Sequence, residues 1–222
     1  MTGPSTSERI DSSCVWIIDG APDLPTRPKA PEPTCVIAVD GGAAHAGALG
    51  LRVDVLVGDL DSIDPALRDR LAGTGTIIDR HPTDKDRSDL DLAIGFAVGL
   101  AAQRIEVISG GGGRLDHELV AVLLLGRPEI AALPLTAHSR GTRLTAIAAG
   151  TDTRLDAGAG DTVTLVATGG AARITTTGLR WDLDEATPLH PGSTLGLSNV
   201  AEADSPGLSV AQGVVLAVVV PR

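Results

Sequence analysis

Three stretches of this sequence place carboxylates directly behind short apolar runs. Asp40 ends Val-Ile-Ala-Val-Asp and opens Gly41-Gly42-Ala43. Asp59 and Asp61 lie in Gly58-Asp59-Leu60-Asp61-Ser62, and Asp84, Asp86 and Asp89 in Asp84-Lys85-Asp86-Arg87-Ser88-Asp89. A fourth stretch, Gly110-Gly111-Gly112-Gly113-Arg114-Leu115-Asp116-His117, supplies a glycine-rich loop and a guanidinium. Carboxylate oxygens suit a hard divalent cation, while glycine amides and arginine suit phosphate oxygens. The combination points to a Mg²⁺-polyphosphate site.

These residues need elements to hold them. Apolar runs at Cys14–Ile18, Cys35–Val39, Val53–Val57, Thr76–Ile78 and Ile105–Ile108 read as buried strands. Helical stretches lie between them: Ala43–Leu49, Pro65–Leu71 with proline in its first turn, and a helix from Ser88 to about Ala102. Ser88 is its expected N-cap, with Asp89 and Asp91 in the first turn. Leu115–Leu125 is the next helix and Leu133–Ala137 a last strand. Strands alternating with helices predict a mostly parallel, Rossmann-like sheet in an α/β domain over residues 1–140. In such sheets ligands bind beyond the carboxyl ends of the strands. Asp40, Asp59, Asp61 and the glycine loop all fall there, so one site is expected.

Helical periodicity stops near Gly141. Short β-type runs follow at 163–166, 172–177, 179–183, 208–211 and 214–220, separated by Gly, Asp and Pro. Residues 141–222 are expected to form an all-β sandwich.

Composition narrows the function. The formal net charge of −10 opposes binding to a nucleic-acid backbone. It is compatible with ATP, because a bound cation inverts the local field of clustered aspartates. The 43% hydrophobic content is enough for a packed core; with Trp16, Trp181 and Phe96 as the only aromatics, that core must be aliphatic. Cys14 and Cys35 lie beside apolar runs and are expected as buried free thiols. The polar start, Met1–Ser13, lacks the apolar stretch of a signal peptide, and the longest apolar run, Val214–Val220, is too short to span a bilayer. A cytoplasmic protein is expected.

Each motif also has an ordinary reading. Asp40-Gly41-Gly42 could be a plain strand-to-helix turn. Gly58–Ser62 could be a turn leading into a capped helix, and Asp84–Asp89 a solvated loop. The glycine loop has neither the P-loop lysine nor the dinucleotide fingerprint, which argues against a dinucleotide oxidoreductase. Asp116 could serve the helix dipole, and His117 is an ordinary surface histidine. Trp181, in a polar β-type run, could stack on a flat heterocycle or anchor a core or interface.

Taken in order, these segments resemble the thiamine pyrophosphokinase family. Its pattern has an Asp-Gly-Gly-Ala turn, a Gly-Asp-(Phe/Leu)-Asp-Ser-Ile segment and an acidic loop ending in Thr/Ser-Asp. A Gly-Gly-x-Gly-Arg-(Phe/Leu)-Asp-His/Gln loop, a Thr-Thr-x-Gly-Leu-(Lys/Arg)-Trp-(Asn/Asp)-Leu strand and a late Ser-Asn complete it. Here these read Asp40–Ala43, Gly58–Ile63, Asp84–Asp89, Gly111–His117, Thr176–Leu183 and Ser198-Asn199.

The resemblance implies an α/β domain, a β-sandwich domain for thiamine binding and dimerisation, and a homodimer with its active sites at the subunit interface. It implies transfer of a pyrophosphoryl group from ATP to the thiamine hydroxyl, with AMP leaving. Asp40, Asp59, Asp61 and Asp89 would form the Mg²⁺-ATP cluster. Gly41, Gly42, Gly112 and Gly113 would approach the nucleotide, and Lys85 and Arg114 would offset phosphate charge. Asp116 would lie near the acceptor, Trp181 would stack on the thiamine pyrimidine, and Ser198 and Asn199 would stand nearby. Catalysis would rest on Asp59, Asp61, Asp89 and Asp116, with Asp89 or Asp116 as base. Two departures stand out: Ala44-His45 where the family pattern has Asn-Arg, and Leu195-Gly196-Leu197 where it has more hydroxyls. The rival readings are a pyrophosphokinase for another alcohol, such as a hydroxymethyl pterin, and a silent nucleotide- or thiamine-binding regulatory module.

Overall fold

The structure is a computed structural model that describes residues 10–222. The first nine residues of the polar start lie outside the described residues. The chain divides into two compact units, one ending at Leu115 and one running from Asp116 to Arg222.

In the first unit, β1 (Val15–Ile18), β2 (Cys35–Val39), β3 (Val55–Gly58), β4 (Ile77–Arg80) and β5 (Ile105–Ser109) pair in parallel. Their order is β4-β3-β2-β1-β5. Every residue of β1, β2 and β3 is buried, as strands covered on both faces must be. Helix α1 (Gly42–Ala48) contributes Ala43 and Ala46 to a cluster with Trp16, Ile18, Val36, Ala38 and Leu56. Helix α3 (Asp89–Gly99) buries Ala93, Ile94 and Ala97. Its N-cap is Ser88, whose hydroxyl accepts the Asp91 amide at 3.2 Å. Helix α2 (Pro65–Gly73) is capped by Asp64, which accepts the amides of Ala66 and Leu67. Cys14 and Cys35 are buried free thiols.

Chain order steps from β1 to β4 in one direction and then returns to the other side of β1 with β5. The topological switch point therefore falls between β1 and β5, where loops part and a ligand can enter.

The second unit begins in helix α4 (Leu115–Leu125), followed by the one-turn α5 (Pro128–Ala131). Its strands are β6 (Leu135–Ser139), β7 (Thr142–Ala148), β8 (Thr151–Arg154), β9 (Thr162–Thr177), β10 (Asn199–Val200) and β11 (Gly207–Val220). All named pairings within it are antiparallel. Strand content is therefore parallel with helices in the first unit and antiparallel in the second, a mixed architecture with a strand-rich C-terminal part.

Two long strands organise that part. β11 pairs with β9 along its whole length, with β8 at Gly207–Val210, and with β7 at Val214–Val219. The register shifts between Val210 and Val214, and Gly213 stands there at φ +82°, 2.8 Å (as an ideal Cβ) from Ala171 O. A bulge of this kind bends a strand without ending it. The runs expected at 172–177 and 163–166 are thus one strand, and those at 208–211 and 214–220 another. Alternate residues Val163, Leu165, Ala167, Ile174, Leu208, Val210, Val215, Ala217 and Val219 meet in one core.

Candidate active site

Asp40 follows β2 with φ +43°, and Leu60 follows β3 with φ +67°. Left-handed backbone is costly for residues with a Cβ and is retained where the surroundings impose it, often at functional sites. The two are linked: Asp40 Oδ1 accepts the Leu60 amide at 3.0 Å. Gly58 makes the room, because a Cβ there would stand 2.0 Å from Asp40 Oδ1.

Asp59 accepts the Asp61 amide at 3.1 Å, and Asp61 accepts the Ser62 hydroxyl at 2.7 Å. The Asp84–Asp89 loop adds Lys85, whose Nζ lies 3.1 Å from Asp89 Oδ1, 4.0 Å from Asp59 Oδ2 and 3.0 Å from Pro82 O. Arg87 does not join this group. Its guanidinium pairs with Asp91 at 2.8 Å, against Gly95.

The electrostatics are uneven. Burial pushes the Asp40 carboxyl up to about 6, and the charges of Asp89, Asp59 and Asp61 push the same way, against the Leu60 amide. Asp59 is held below the ordinary carboxylate range by the Asp61 amide, with help from the Thr83 hydroxyl and Lys85. Asp89 Oδ1 is buried and makes no hydrogen bond, since Lys85 meets it as an ion pair off the bonding direction.

The Asp40 carboxyl, pushed up by the neighbouring charges of Asp89, Asp59 and Asp61, fits a hard cation that would offset those charges. Among the described residues, no three His, Cys, Asp or Glu side chains are gathered closely enough to cage a metal unaided. Mg²⁺ commonly takes only one or two carboxylates and completes its shell with water and substrate phosphates, so this donor set fits that ion.

The glycine loop follows β5. Gly111, Gly112 and Gly113 have φ of +74°, +82° and +89°. The neighbouring chain also demands glycine: a Cβ on Gly110 would fall 1.6 Å from Asp23 O, and one on Gly112 2.6 Å from the Asp23 carboxylate. The sequence reading of these glycines as room for a ligand missed this partner segment. Arg114 is exposed, and Asp116 stands exposed in the first turn of α4 beside His117. Gly41 precedes α1 without a side-chain cap, and a Cβ on Gly42 would stand 2.2 Å from Ile18 O.

In the second unit Trp181 is 58% exposed and sits in a turn, not in the strand expected at 179–183. Asp182 accounts for the difference. Its carboxylate accepts the amides of Gly178 and Leu179 and the Thr176 hydroxyl, which closes the chain on itself. Arg180 lies over the indole at 5.6 Å from its centroid. Asn199 is buried and grips the Trp181 backbone at both ends: Nδ2 donates to Trp181 O at 2.7 Å and Oδ1 accepts its amide at 3.2 Å. Ser198 is exposed at φ +55°, its amide held by the Thr164 hydroxyl. Leu195 and Leu197 are exposed beside it in sequence.

Residues 30–136 match the family model of the thiamin pyrophosphokinase catalytic domain, and residues 152–215 match that of the thiamin pyrophosphokinase vitamin B1 binding domain. The chain belongs to the thiamine pyrophosphokinase family. Thiamine pyrophosphokinase 1 of rice is 28% identical over 160 residues, covering 68% of this chain and 60% of the relative. The thiamine pyrophosphokinase of Bacillus subtilis is 33% identical over 94 residues, covering 42% of this chain and 44% of the relative. The aligned stretch thus spans less than two thirds of these relatives' length.

The fold extends further than the sequence match. The solved thiamine pyrophosphokinase of Bacillus subtilis superposes with a TM-score of 0.79 at 22% identity, over 94% of this chain and 99% of that one. A family protein from Enterococcus faecalis gives 0.80 at 21% identity, over 95% and 100%. All the acidic residues and the glycine loop lie inside the stretch matched by the catalytic-domain model, and Trp181, Ser198 and Asn199 inside that of the B1-binding model.

Proposed function

We propose that this protein transfers a pyrophosphoryl group from ATP to the hydroxyl of thiamine, giving thiamine diphosphate and AMP. The observation that carries the reading is Lys85 paired with Asp59 and Asp89, with Asp40 raised by the charges of Asp59, Asp61 and Asp89, all within the catalytic-domain match.

From the group Asp40, Asp59, Asp61 and Asp89, one or two carboxylates would ligate Mg²⁺ directly, the ATP phosphates would complete its shell, and the other carboxylates would act through water and charge. Bound there, Mg²⁺ neutralises phosphate charge and polarises the phosphoryl oxygens. Lys85, shared by Asp59 and Asp89, offsets the repulsion between the two carboxylates and is placed to turn toward phosphate. Gly41, Gly42, Gly112, Gly113 and Arg114 receive the nucleotide. Trp181 offers its indole to the thiamine pyrimidine, Ser198 and Asp116 contact the acceptor, and Asn199 acts by fixing the Trp181 backbone.

In the reaction a bond forms between the thiamine oxygen and the β-phosphorus, and the bond from that phosphorus to the α,β-bridging oxygen breaks. AMP leaves with that electron pair. The hydroxyl proton passes to a carboxylate, Asp89 or Asp116. Alignment and preorganised charge supply most of the rate.

For function we divide the chain into an α/β, Rossmann-like ATP domain over 1–140 and a β-sandwich thiamine and dimerisation domain over 141–222. The bent pair β9 and β11 around one core supports the sandwich. A homodimer with active sites at the subunit interface is supported by exposed apolar side chains on α4: Leu119, Val120 and Leu123 are 54–57% exposed. Large exposed apolar surface marks association. We place the protein in the cytoplasm; among the described residues no helix is long and apolar enough to cross a membrane.

The test is purified protein with ATP, Mg²⁺ and thiamine, with products separated by chromatography. AMP and thiamine diphosphate in equal amounts, lost with EDTA, are expected. ADP with thiamine monophosphate would place the attack on the γ-phosphorus instead. Turnover with a hydroxymethyl pterin and not thiamine would replace the acceptor, and ATP or thiamine binding without any product would make the chain a regulatory module.

A further inference from the structure

At the carboxyl end of β1, Asp19-Gly20 repeats the Asp40-Gly41 pattern at the end of β2. Asp19 has no place in the carboxylate group described above. Its contacts lead elsewhere. The Ser109 hydroxyl, at the end of β5, donates to Asp19 Oδ2 at 3.0 Å. The same hydroxyl oxygen accepts the Gly111 amide at 3.2 Å. Gly111 is also held by its other end, since its carbonyl accepts the Asp23 amide at 3.0 Å. On the opposite side of Asp19, its backbone carbonyl lies 3.2 Å from His45 Nδ1. A carbonyl only accepts, so that nitrogen carries the proton and donates.

We propose that Asp19 is a positioning residue of the nucleotide site. Through Ser109 its carboxylate fixes the glycine loop after β5, and through His45 its carbonyl ties α1, which follows the Asp40 turn, to the end of β1. The inference rests on the reading of the glycine loop as the phosphate-binding loop.

The physical need is clear. Gly110–Gly113 have no side chains to lock them, and an unrestrained glycine loop loses more conformational freedom than any other on binding. A hydroxyl bridging a loop amide to a carboxylate removes that freedom before the ligand arrives, which is where preorganisation gains affinity. The charge-assisted end of the relay, hydroxyl to carboxylate, is its stronger half. The geometry also gives His45 a task. At the position where the family pattern has arginine, its ring is bound to the Asp19 carbonyl.

The test uses the full chain and two readouts. The first is amide hydrogen exchange of the unliganded protein at Gly111, with α3 as internal reference. The second is the steady-state KM for ATP and for thiamine. Asp19→Ala and Ser109→Ala each remove one link; Asp19→Asn and Ser109→Thr keep an acceptor and a hydroxyl. Losing one such bond is worth about tenfold. Both alanine variants should therefore exchange Gly111 about tenfold faster with α3 unchanged, and raise the KM for ATP about tenfold. Thiamine KM should stay put and kcat should fall by less, while Asn and Thr restore wild-type values.

Unchanged exchange at Gly111 in Ser109→Ala would overturn the relay. An Asp19→Asn variant as impaired as Asp19→Ala would overturn positioning, because charge rather than hydrogen bonding would then matter. A fall in α3 protection along with the loop would make Asp19 a general stability residue. If the wild-type protein makes no thiamine diphosphate, the exchange arm alone decides the relay, and the failure belongs to the proposed reaction.

Discussion

The acidic turns of the first unit and the tryptophan turn of the second are built on opposite principles. Around Asp40 and Asp59 the polar groups are left in tension. Asp40 is pushed up to about 6 by burial and by the charges of Asp89, Asp59 and Asp61. Around Trp181 the polar groups are satisfied. Asp182 closes the turn and Asn199 bonds both backbone atoms of the tryptophan, while the indole stays exposed. The difference teaches how one chain prepares for two ligands. A charged ligand is awaited by unbalanced charge, which the ligand relieves. A flat organic ligand is awaited by a settled frame that presents a single surface.

The sharpest way to break this comparison is to remove the tension. Asp59→Asn should lower kcat/KM for pyrophosphoryl transfer by about a thousandfold, in line with losses seen when a charge-stabilising group is removed from an active site. The melting temperature should fall only slightly, because the charge lost is stabilised by the Asp61 amide and Lys85 but opposed by its own desolvation. A stable variant with near wild-type turnover would show that the acidic group is not the donor site.

The next effect is on the acceptor side. Trp181→Ala should raise the KM for thiamine about tenfold or more, as loss of one stacking surface costs about 1–3 kcal/mol. The KM for ATP should hardly change, and Trp181→Phe should recover part of the loss. Equal damage to both KM values would erase the distinction between the regions.

Asn199→Ala tests whether the frame is as settled as described. It leaves the Trp181 amide and carbonyl without their partner, which costs about 1–3 kcal/mol. Chemical denaturation should report that loss, together with a weaker thiamine KM. Thiamine affinity lost without any fall in stability would make Asn199 a direct ligand instead.

The smallest effect expected is none. Burial, the largest cause, pushes the Cys35 thiol up to about 12, and burial likewise raises Cys14. Both stay mainly protonated at pH 8 and unreactive, since the thiolate is the nucleophile. Iodoacetamide at pH 8 should leave native protein unlabelled and active, while denatured protein takes two labels. Rapid labelling of the native state would show the β1–β2 edge to be open.

The first unit was legible because its strands are uninterrupted apolar runs and its helices carry caps. Ser88 and Pro65 stand where the sequence placed them. The second unit was legible in kind and not in detail. β7, as Thr-Arg-Leu-Thr-Ala-Ile-Ala, buries only Leu144 and Ile147, and β8, as Thr-Asp-Thr-Arg, buries no residue, so they carry little apolar signal. Gly169-Gly170 and Gly213 read as ends and are bends. Trp181 read as strand because its flanking residues have β propensity, and the Asp182 carboxylate overrides that locally. In the site, the aspartates drew attention by their spacing behind apolar runs, and Lys85 entered through the family resemblance. Asp19 was missed although its signal was available: an Asp-Gly closing an apolar strand, the same signal that drew attention to Asp40.

The claim that donor and acceptor are held by separately prepared regions is tested most directly by thiamine binding to Asp59→Asn, read by quenching of the exposed Trp181. The account predicts wild-type thiamine affinity in a variant whose pyrophosphoryl transfer has fallen about a thousandfold. Loss of thiamine binding together with turnover would contradict it.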